Sequence, residues 1–391
     1  MSTIFCIAAA MLAGLLMTRI TRLAHLPNVT AYLFAGVLIG PYVLSLVNQS
    51  TLDSFGIITE CALGFIAFSI GDEFRLENLK AIGTPALIIT MCESLGAVAF
   101  TMVITMILGF SPVICIMLGA LSASTAPAAT LLIVRQYKAK GPLTNMLLPV
   151  VAADDATGLI AYSICVSIAK GIVSHQAFSV MNTLVLPVLG ILEAIAIGGV
   201  LGFLLALAHR YFRSHTNRMS LCIAMVMLGT AIADQLGISS LLLCMAVGAA
   251  YVNIWNESER VLSCIDDWTY PLFMLFFVIS GASLNLSALK SVGLIGVVYI
   301  IARFAGKYFG AWLGGTMTKQ PEVIRRNLGW TLMPQAGVAI GMATMVLHQL
   351  PAEYSQVIQT VILCATLVYE IVGPLAAKSA LKRAGEIQAN A

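Results

Sequence analysis

At 391 residues the chain has the length of two or three soluble domains, yet 59% of it is hydrophobic and only 10% is charged. A soluble domain carries about a quarter charged residues, so this chain could not cover its surface in water. Soluble enzymes, nucleic-acid binders and secreted disulfide domains are excluded, and a formal charge of +3 is too small to draw a polyanion.

The composition is that of an all-α polytopic membrane protein. An apolar run of about 20 residues crosses the hydrocarbon core. Such runs occupy 3–21, 28–47, 55–71, 84–109, 111–134, 144–169, 178–208, 219–236, 238–254, 268–283, 288–315, 323–347 and 354–377. The expectation is thirteen transmembrane helices in a single membrane domain over 1–391, with no soluble domain. Met1 to Met17 is apolar with no basic residue ahead of it, so it is expected to be the first span and not a cleaved signal. The nine cysteines are scattered without a Cys-x-x-Cys pair, a pattern of neither a disulfide framework nor a zinc site.

Lysine and arginine concentrate on cytoplasmic ends and test the count. Of the 21, 17 follow odd-numbered spans, among them Arg19, Arg75, Arg135, Arg210, Arg260, Lys319 and Lys378. Only Lys170 and Lys290 follow even ones, and Arg303 and Lys307 lie inside span 11. The N-terminus is therefore expected outside and the C-terminus inside a cell inner (plasma) membrane.

Thirteen spans divide as six, one and six. An odd linker makes the halves antiparallel, the inverted-topology repeat of many secondary transporters. Repeat one would cover about 1–171, the linker helix about 178–209 and repeat two about 217–379. Unusual features recur in the same order. Span 4 carries Glu93 and span 11 carries Arg303 and Lys307. Ser124-Thr125-Ala126-Pro127 breaks span 5, and Met333-Pro334-Gln335-Ala336-Gly337 breaks span 12. Span 6 holds Asp154 and Asp155, and span 13 holds Glu370. Proline inside a helix removes a backbone hydrogen bond and clashes with a carbonyl. In lipid the freed groups need partners, so broken helices occur where backbone lines a cavity. Ser124, Pro127, Pro334 and Gln335 are thus expected to line an ion site between two broken, crossing helices.

A charge at the bilayer centre costs about 2.5–3.5 kcal/mol on translocon scales. Asp154 and Asp155 stand near the middle of their span, so a site for a cation or protons explains them better than packing does. Successive helical residues lie about 100° apart, so one aspartate can face a fixed cation while the other faces the cavity. Lys307 is the natural fixed cation, and a desolvated lysine readily gives up its proton. Glu93 and Arg303 are expected to form a structural ion pair, because arginine cannot relay a proton. Glu370 is expected near a span end, where a side chain can reach water. The Gly306-x-x-x-Gly310-x-x-x-Gly314 stripe suits close internal helix packing.

The Asp-Asp pair, the buried Lys307 and the two breaks resemble the cation/proton antiporter superfamily, in particular bacterial sodium/proton antiporters of the NapA and NhaA type. Leu26-Pro27-Asn28-Val29-Thr30-Ala31-Tyr32-Leu33, with Gly36, Gly40 and Pro41, is similar to that family's start. The resemblance implies a core with the broken helices, a panel that forms a homodimer, and elevator-like alternating access. It implies electrogenic exchange of Na⁺ or Li⁺ for protons, with no cofactor and no enzymatic chemistry. By position Asp155 matches the residue that carries Na⁺ and the proton, Asp154 the partner of lysine, and Thr125 the polar residue at the first break. Many relatives have Pro-Arg-Gly-Glu where this chain has Pro334-Gln335-Ala336-Gly337, so an acidic group is missing. K⁺/H⁺ exchange on the same scaffold and a sodium-coupled organic-anion symporter are the alternatives.

Overall fold

The computed structural model describes residues 3–23, 28–72, 74–126, 130, 133–134, 137–174, 185–212, 214–255, 258–284 and 289–387, and all its regular structure there is helical. The helices are α1 (Thr3–Leu23), α2 (Asn28–Ile39), α3 (Gln49–Ser54), α4 (Gly56–Asp72), α5 (Leu76–Ile107), α6 (Pro112–Leu121), α7 (Pro142–Val173), α8 (Leu186–Ala208), α9 (His215–Leu236), α10 (Ser240–Ile254), α11 (Ser258–Ala282), α12 (Leu289–Met317), α13 (Glu322–Thr331), α14 (Gly337–Gln349) and α15 (Ala352–Arg383). Their ends follow local chemistry. Proline opens α6 and α7 at the first turn, where its missing N–H costs nothing. Ser239 caps α10 by accepting from the Leu242 amide, and Gly237 ends α9 in the left-handed conformation. Gly83, at φ 73°, kinks α5.

Thirteen full-length spans are not what the chain forms. Among the described residues seven helices are long and apolar enough to cross a membrane, beginning at Thr3, Gly83, Pro142, Val188, Thr216, Gly293 and Ala352. Six further apolar helices have only 10–17 residues: Asn28–Ile39, Gly56–Gly71, Pro112–Leu121, Ser240–Ile254, Asp267–Ala282 and Gly337–Gln349. An apolar run reports that a segment avoids water; it does not say how much of the run is helix or whether lipid or protein covers it. Runs 111–134 and 323–347 each contain a stop in the helix. The six-one-six repeat drawn from the count falls with it.

The chain folds into two compact units, each assembled from three stretches. One comprises Met1–Arg19, Tyr32–Ala81 and Phe178–Ser283; the other comprises Ile20–Ala31, Ile82–Ala177 and Leu284–Ala391. In the first, α10 is the central helix, packed against α4, α8 and α9. In the second, α12, α13, α14 and α15 pack together, with α6 and α7 closing on them. Its apolar core includes Ile89, Leu143, Leu147, Val150, Ala311, Leu328 and Leu381. The outward faces are apolar as well: Leu16 of α1, Ile107 of α5, Val200 of α8 and Val297 of α12 are all exposed. That is the pattern of a lipid-facing surface.

Candidate ion-exchange site

The site is built inside the second unit by a close helix crossing. A Cβ on Gly306 would stand 2.6 Å from the Gly96 carbonyl oxygen, and one on Gly310 2.6 Å from the Cα of Glu93. Only small residues let α12 press so tightly on α5, and the glycine stripe is spent on this internal contact. Lys307, one residue past Gly306, is thereby carried to Glu93.

Its ammonium Nζ donates to Glu93 Oε2 at 2.7 Å and to Asp154 Oδ2, from α7, at 3.0 Å. All three side chains are at most 1% exposed. The Ser94 hydroxyl stands between the two carboxylates, donating to Asp154 Oδ1 at 2.5 Å with Glu93 Oε1 at 3.1 Å. One lysine therefore serves two carboxylates. The pairing of Glu93 with Arg303 expected from the sequence is not formed. Residues 303 and 307 lie one helical turn apart on one face, so the sequence leaves open which of them meets Glu93.

Arg303 does something else. Its Nε donates to the Ser122 carbonyl at 3.1 Å, Nη1 to the Met333 carbonyl at 2.8 Å, and Nη2 to the carbonyls of Ser124 at 2.8 Å and Pro334 at 3.4 Å. Its guanidinium also lies over the Tyr369 ring, 4.5 Å from the centroid. Ser122–Ala126 and Leu332–Ala336 follow the C-terminal ends of α6 and α13. Those ends carry unpaired carbonyls and the negative pole of each helix. The rigid five-donor fork of arginine satisfies both interruptions from one point, and an Ala126 N–H to Pro334 carbonyl bond of 3.0 Å joins them directly.

Other residues fill in the junction. Gln335 is buried and its Nε2 donates to the Leu121 carbonyl at 2.8 Å and meets the Tyr299 hydroxyl at 2.8 Å. Thr125 reaches the Leu332 carbonyl at 3.5 Å. The buried Ser124 hydroxyl has no hydrogen-bond partner among the described residues. Pro334 packs on Gly373 of α15, while Pro127 lies outside the described residues. Gly158 sits against the Ser124 backbone, so α7 touches the first break one turn beyond its aspartates. Asp155, 2% exposed, is the neighbour of Asp154 and points about 100° round the helix from it.

Two functional residues, Ser94 and Glu386, carry no signal in the sequence, and a third, Glu370, is not where the sequence suggests. Ser94 has no signature beyond following Glu93. Glu370 is buried, 1% exposed, and does not reach water. Glu386 accepts from the amides of Leu143 and Thr144 at 2.6 and 2.8 Å and from the Thr144 hydroxyl at 2.6 Å. It thus caps the helix that carries the aspartates, a contact spanning more than 240 residues that no local pattern announces.

Buried countercharges gathered at two interrupted helices, within a protein whose outward faces are apolar, are features of a membrane transporter. The chain belongs to the sodium/hydrogen exchanger family, whose profile, described as "sodium/hydrogen exchanger, transmembrane", matches residues 7–382, and hence to the cation/proton antiporter superfamily. It is 25% identical over 287 residues to the Na⁺/H⁺ antiporter ApNhaP of Aphanothece halophytica, a match covering 70% of this chain and 53% of that protein, so the chain spans about half that relative's length. It is 22% identical to the ammonium/H⁺ antiporter subunit AmhT of Alkalihalophilus pseudofirmus, over 92% of this chain and 90% of that one. It is 23% identical to the Na⁺/H⁺ antiporter NhaS4 of Synechocystis over 83% of both. Its fold is shared with the sodium proton antiporter MjNhaP1 of Methanocaldococcus jannaschii, with a TM-score of 0.81 at 17% identity over 97% of this chain and 98% of that one.

Proposed function

We propose that the protein exchanges Na⁺ or Li⁺ for protons across the membrane, with Asp155 as the group that alternately holds the cation and a proton. The carrying observation is the Glu93–Lys307–Asp154 triad beside Asp155. Glu93 and Asp154 share the single ammonium of Lys307, while the Arg303 guanidinium is bound to backbone carbonyls. Two carboxylates on one lysine make the cluster rich in negative charge, which suits a proton or a small cation held at Asp155. An organic-anion symporter would want the opposite balance. Asp154 and Lys307 fix each other, and Thr125, Ser124 and Gln335 line the approach from the breaks.

The Asp154-Asp155 motif supports placing the chain with the NapA and NhaA type and supports electrogenic exchange. Elevator-like movement, a homodimer, an external N-terminus and a cytoplasmic C-terminus are part of the same reading. A second cation class, potassium or ammonium, is favoured by the near full-length likeness to an ammonium/H⁺ antiporter subunit and by the missing acidic residue after Pro334.

The test is cation-driven proton flux in proteoliposomes, screened across Na⁺, Li⁺, K⁺ and ammonium. Asp155→Asn should abolish flux with every cation. In the parent, apparent cation affinity should weaken as pH falls, because protons compete for one carboxylate. Robust exchange by Asp155→Asn, or an affinity indifferent to pH, would sink the assignment.

A further inference from the structure

A second acidic group stands in the transport unit without a role in the cluster above. Glu370 lies well inside the long apolar helix α15 and is 1% exposed. Its Oε2 accepts a long hydrogen bond, 3.4 Å, from the Thr30 hydroxyl, and its Oε1 is buried with no partner among the described residues. A carboxylate has about four acceptor sites, so one weak donor leaves an ionised Glu370 almost wholly unsolvated. Burying such a charge unpaired is far costlier than burying the neutral acid.

Among the described residues the surroundings supply no countercharge. On α12 the nearby cation is Arg303, already committed to four carbonyls and to the ring of Tyr369. Helix α6 and the stretch Asn28–Ala31 carry no charged residue, and α14 brings only His348, in its last turn. On α13, Glu322, Arg325 and Arg326 lie in the first half, away from the break. A sodium ion would want several oxygen ligands, and among the described residues the side chain bonded to Glu370 is that of Thr30. Yet the position is tied to Arg303 and to the second helix break. Tyr369, its neighbour, donates to the Ile300 carbonyl at 2.6 Å and carries Arg303, and Gly373, three residues on, holds Pro334 of the second break.

We infer that Glu370 is a second proton-carrying carboxyl of the exchanger, separate from the aspartate pair. It would take a proton from water on one side to become a neutral acid, cross in that form, release the proton on the other side, and return as the carboxylate in the cation-loaded state, where the transported cation offsets its charge. The inference rests on the exchange reading above but not on the assignment of Asp155.

The experiment is the reversal potential of cation-coupled current in proteoliposomes, which gives the proton-to-cation ratio, for the parent, Glu370→Gln and Glu370→Asp. Glu370→Gln should still carry the cation with the ratio lowered by one proton, and Glu370→Asp should keep the parental ratio. An unchanged ratio in a folded Glu370→Gln overturns the inference, whereas absence of cation-driven proton flux in the parent would overturn the exchange reading itself. Should Glu370→Gln fail to fold, infrared difference spectra of the parent and Glu370→Asp decide. A protonated-carboxyl stretch that shifts with the substitution and disappears as pH rises supports the role. A carboxyl band that responds to neither overturns it.

Discussion

Two helix crossings in this protein use one device and carry different freight. In the first unit α4 meets α10 at Gly71 and Gly248, where a Cβ on Gly71 would stand 2.6 Å from the Ala249 nitrogen. In the second, α5 meets α12 at Gly96, Gly306 and Gly310 with similar intimacy. The residues touching at the first crossing are Phe68, Met245 and Ala249, all apolar or small. The second holds Glu93 and Lys307 face to face. Backbone-to-backbone contact is therefore this chain's general way of joining helices without a hydrophobic drive between them. Buried charge is the feature that separates a crossing made to hold from one made to work.

The largest expected effect comes from stranding that charge. Removing one partner of a buried ion pair costs on the order of 3–5 kcal/mol, while replacing all partners can be nearly neutral. Lys307→Gln should lower thermal stability by that order. A simple pair would let Asp154→Asn rescue it, but Glu93 would remain without its cation. The rescue should be complete only when Glu93→Gln is added. Melting curves of the single, double and triple variants check this, and full recovery in the Asp154/Lys307 double variant would show that Glu93 is not part of the unit.

A smaller effect separates the two crossings directly. Gly248→Ala would force a methyl against the Phe68 backbone, and Gly310→Ala would force one against Glu93 Cα at 2.6 Å. Overpacking of this kind typically costs about 1–3 kcal/mol, so both should lower the melting temperature. Only Gly310→Ala should also change the apparent cation affinity in flux assays, since it pushes α12 away from the triad. Equal changes in affinity from both variants would mean that the first crossing is not passive.

What the sequence disclosed follows the same division. Asp154, Asp155 and Lys307 announced themselves because a charge in an apolar run has no cheap explanation, and the proline-bearing interruptions did so because helices tolerate few of them. Span length did not, because run 28–47 is as apolar as those of the long helices while its helix stops at Ile39. Arg303 is as conspicuous as these, but what it binds is not. Its four acceptors are backbone carbonyls, which every residue has and which leave no mark in side-chain chemistry. The burial of Glu370 is hidden because distance from a run's end does not reveal whether neighbouring helices close the route to water. The Glu386 cap joins segments too far apart for any local pattern to connect.

The smallest expected effect lies in the first unit, where a buried titratable group is satisfied and not exposed to exchange. His209 follows the last residue of α8 and is fully buried. Its Nε2 lies 3.3 Å from the Arg218 carbonyl oxygen and its Nδ1 3.0 Å from the Tyr251 hydroxyl. The carbonyl can only accept, so Nε2 carries the hydrogen and Nδ1 accepts from the tyrosine. The neutral ring is thus fully bonded, with Tyr251 and Trp255 edge-on to it. Burial pushes its pKa below the usual 6.5, the Arg218 carbonyl pulls it partly back, and the Arg218 charge pushes it down again. The unfolded chain therefore binds this proton at a higher pH than the folded one. His209 should contribute its full stability above about 6.5 and lose it progressively as pH falls from there toward the depressed folded value. His209→Gln, which cannot titrate, should flatten that part of the stability profile while leaving the pH dependence of cation affinity in place. Parallel stability profiles for the parent and His209→Gln would show that the histidine titrates alike in both states. A shift in cation affinity would show that the first unit's buried histidine belongs with the working charges after all.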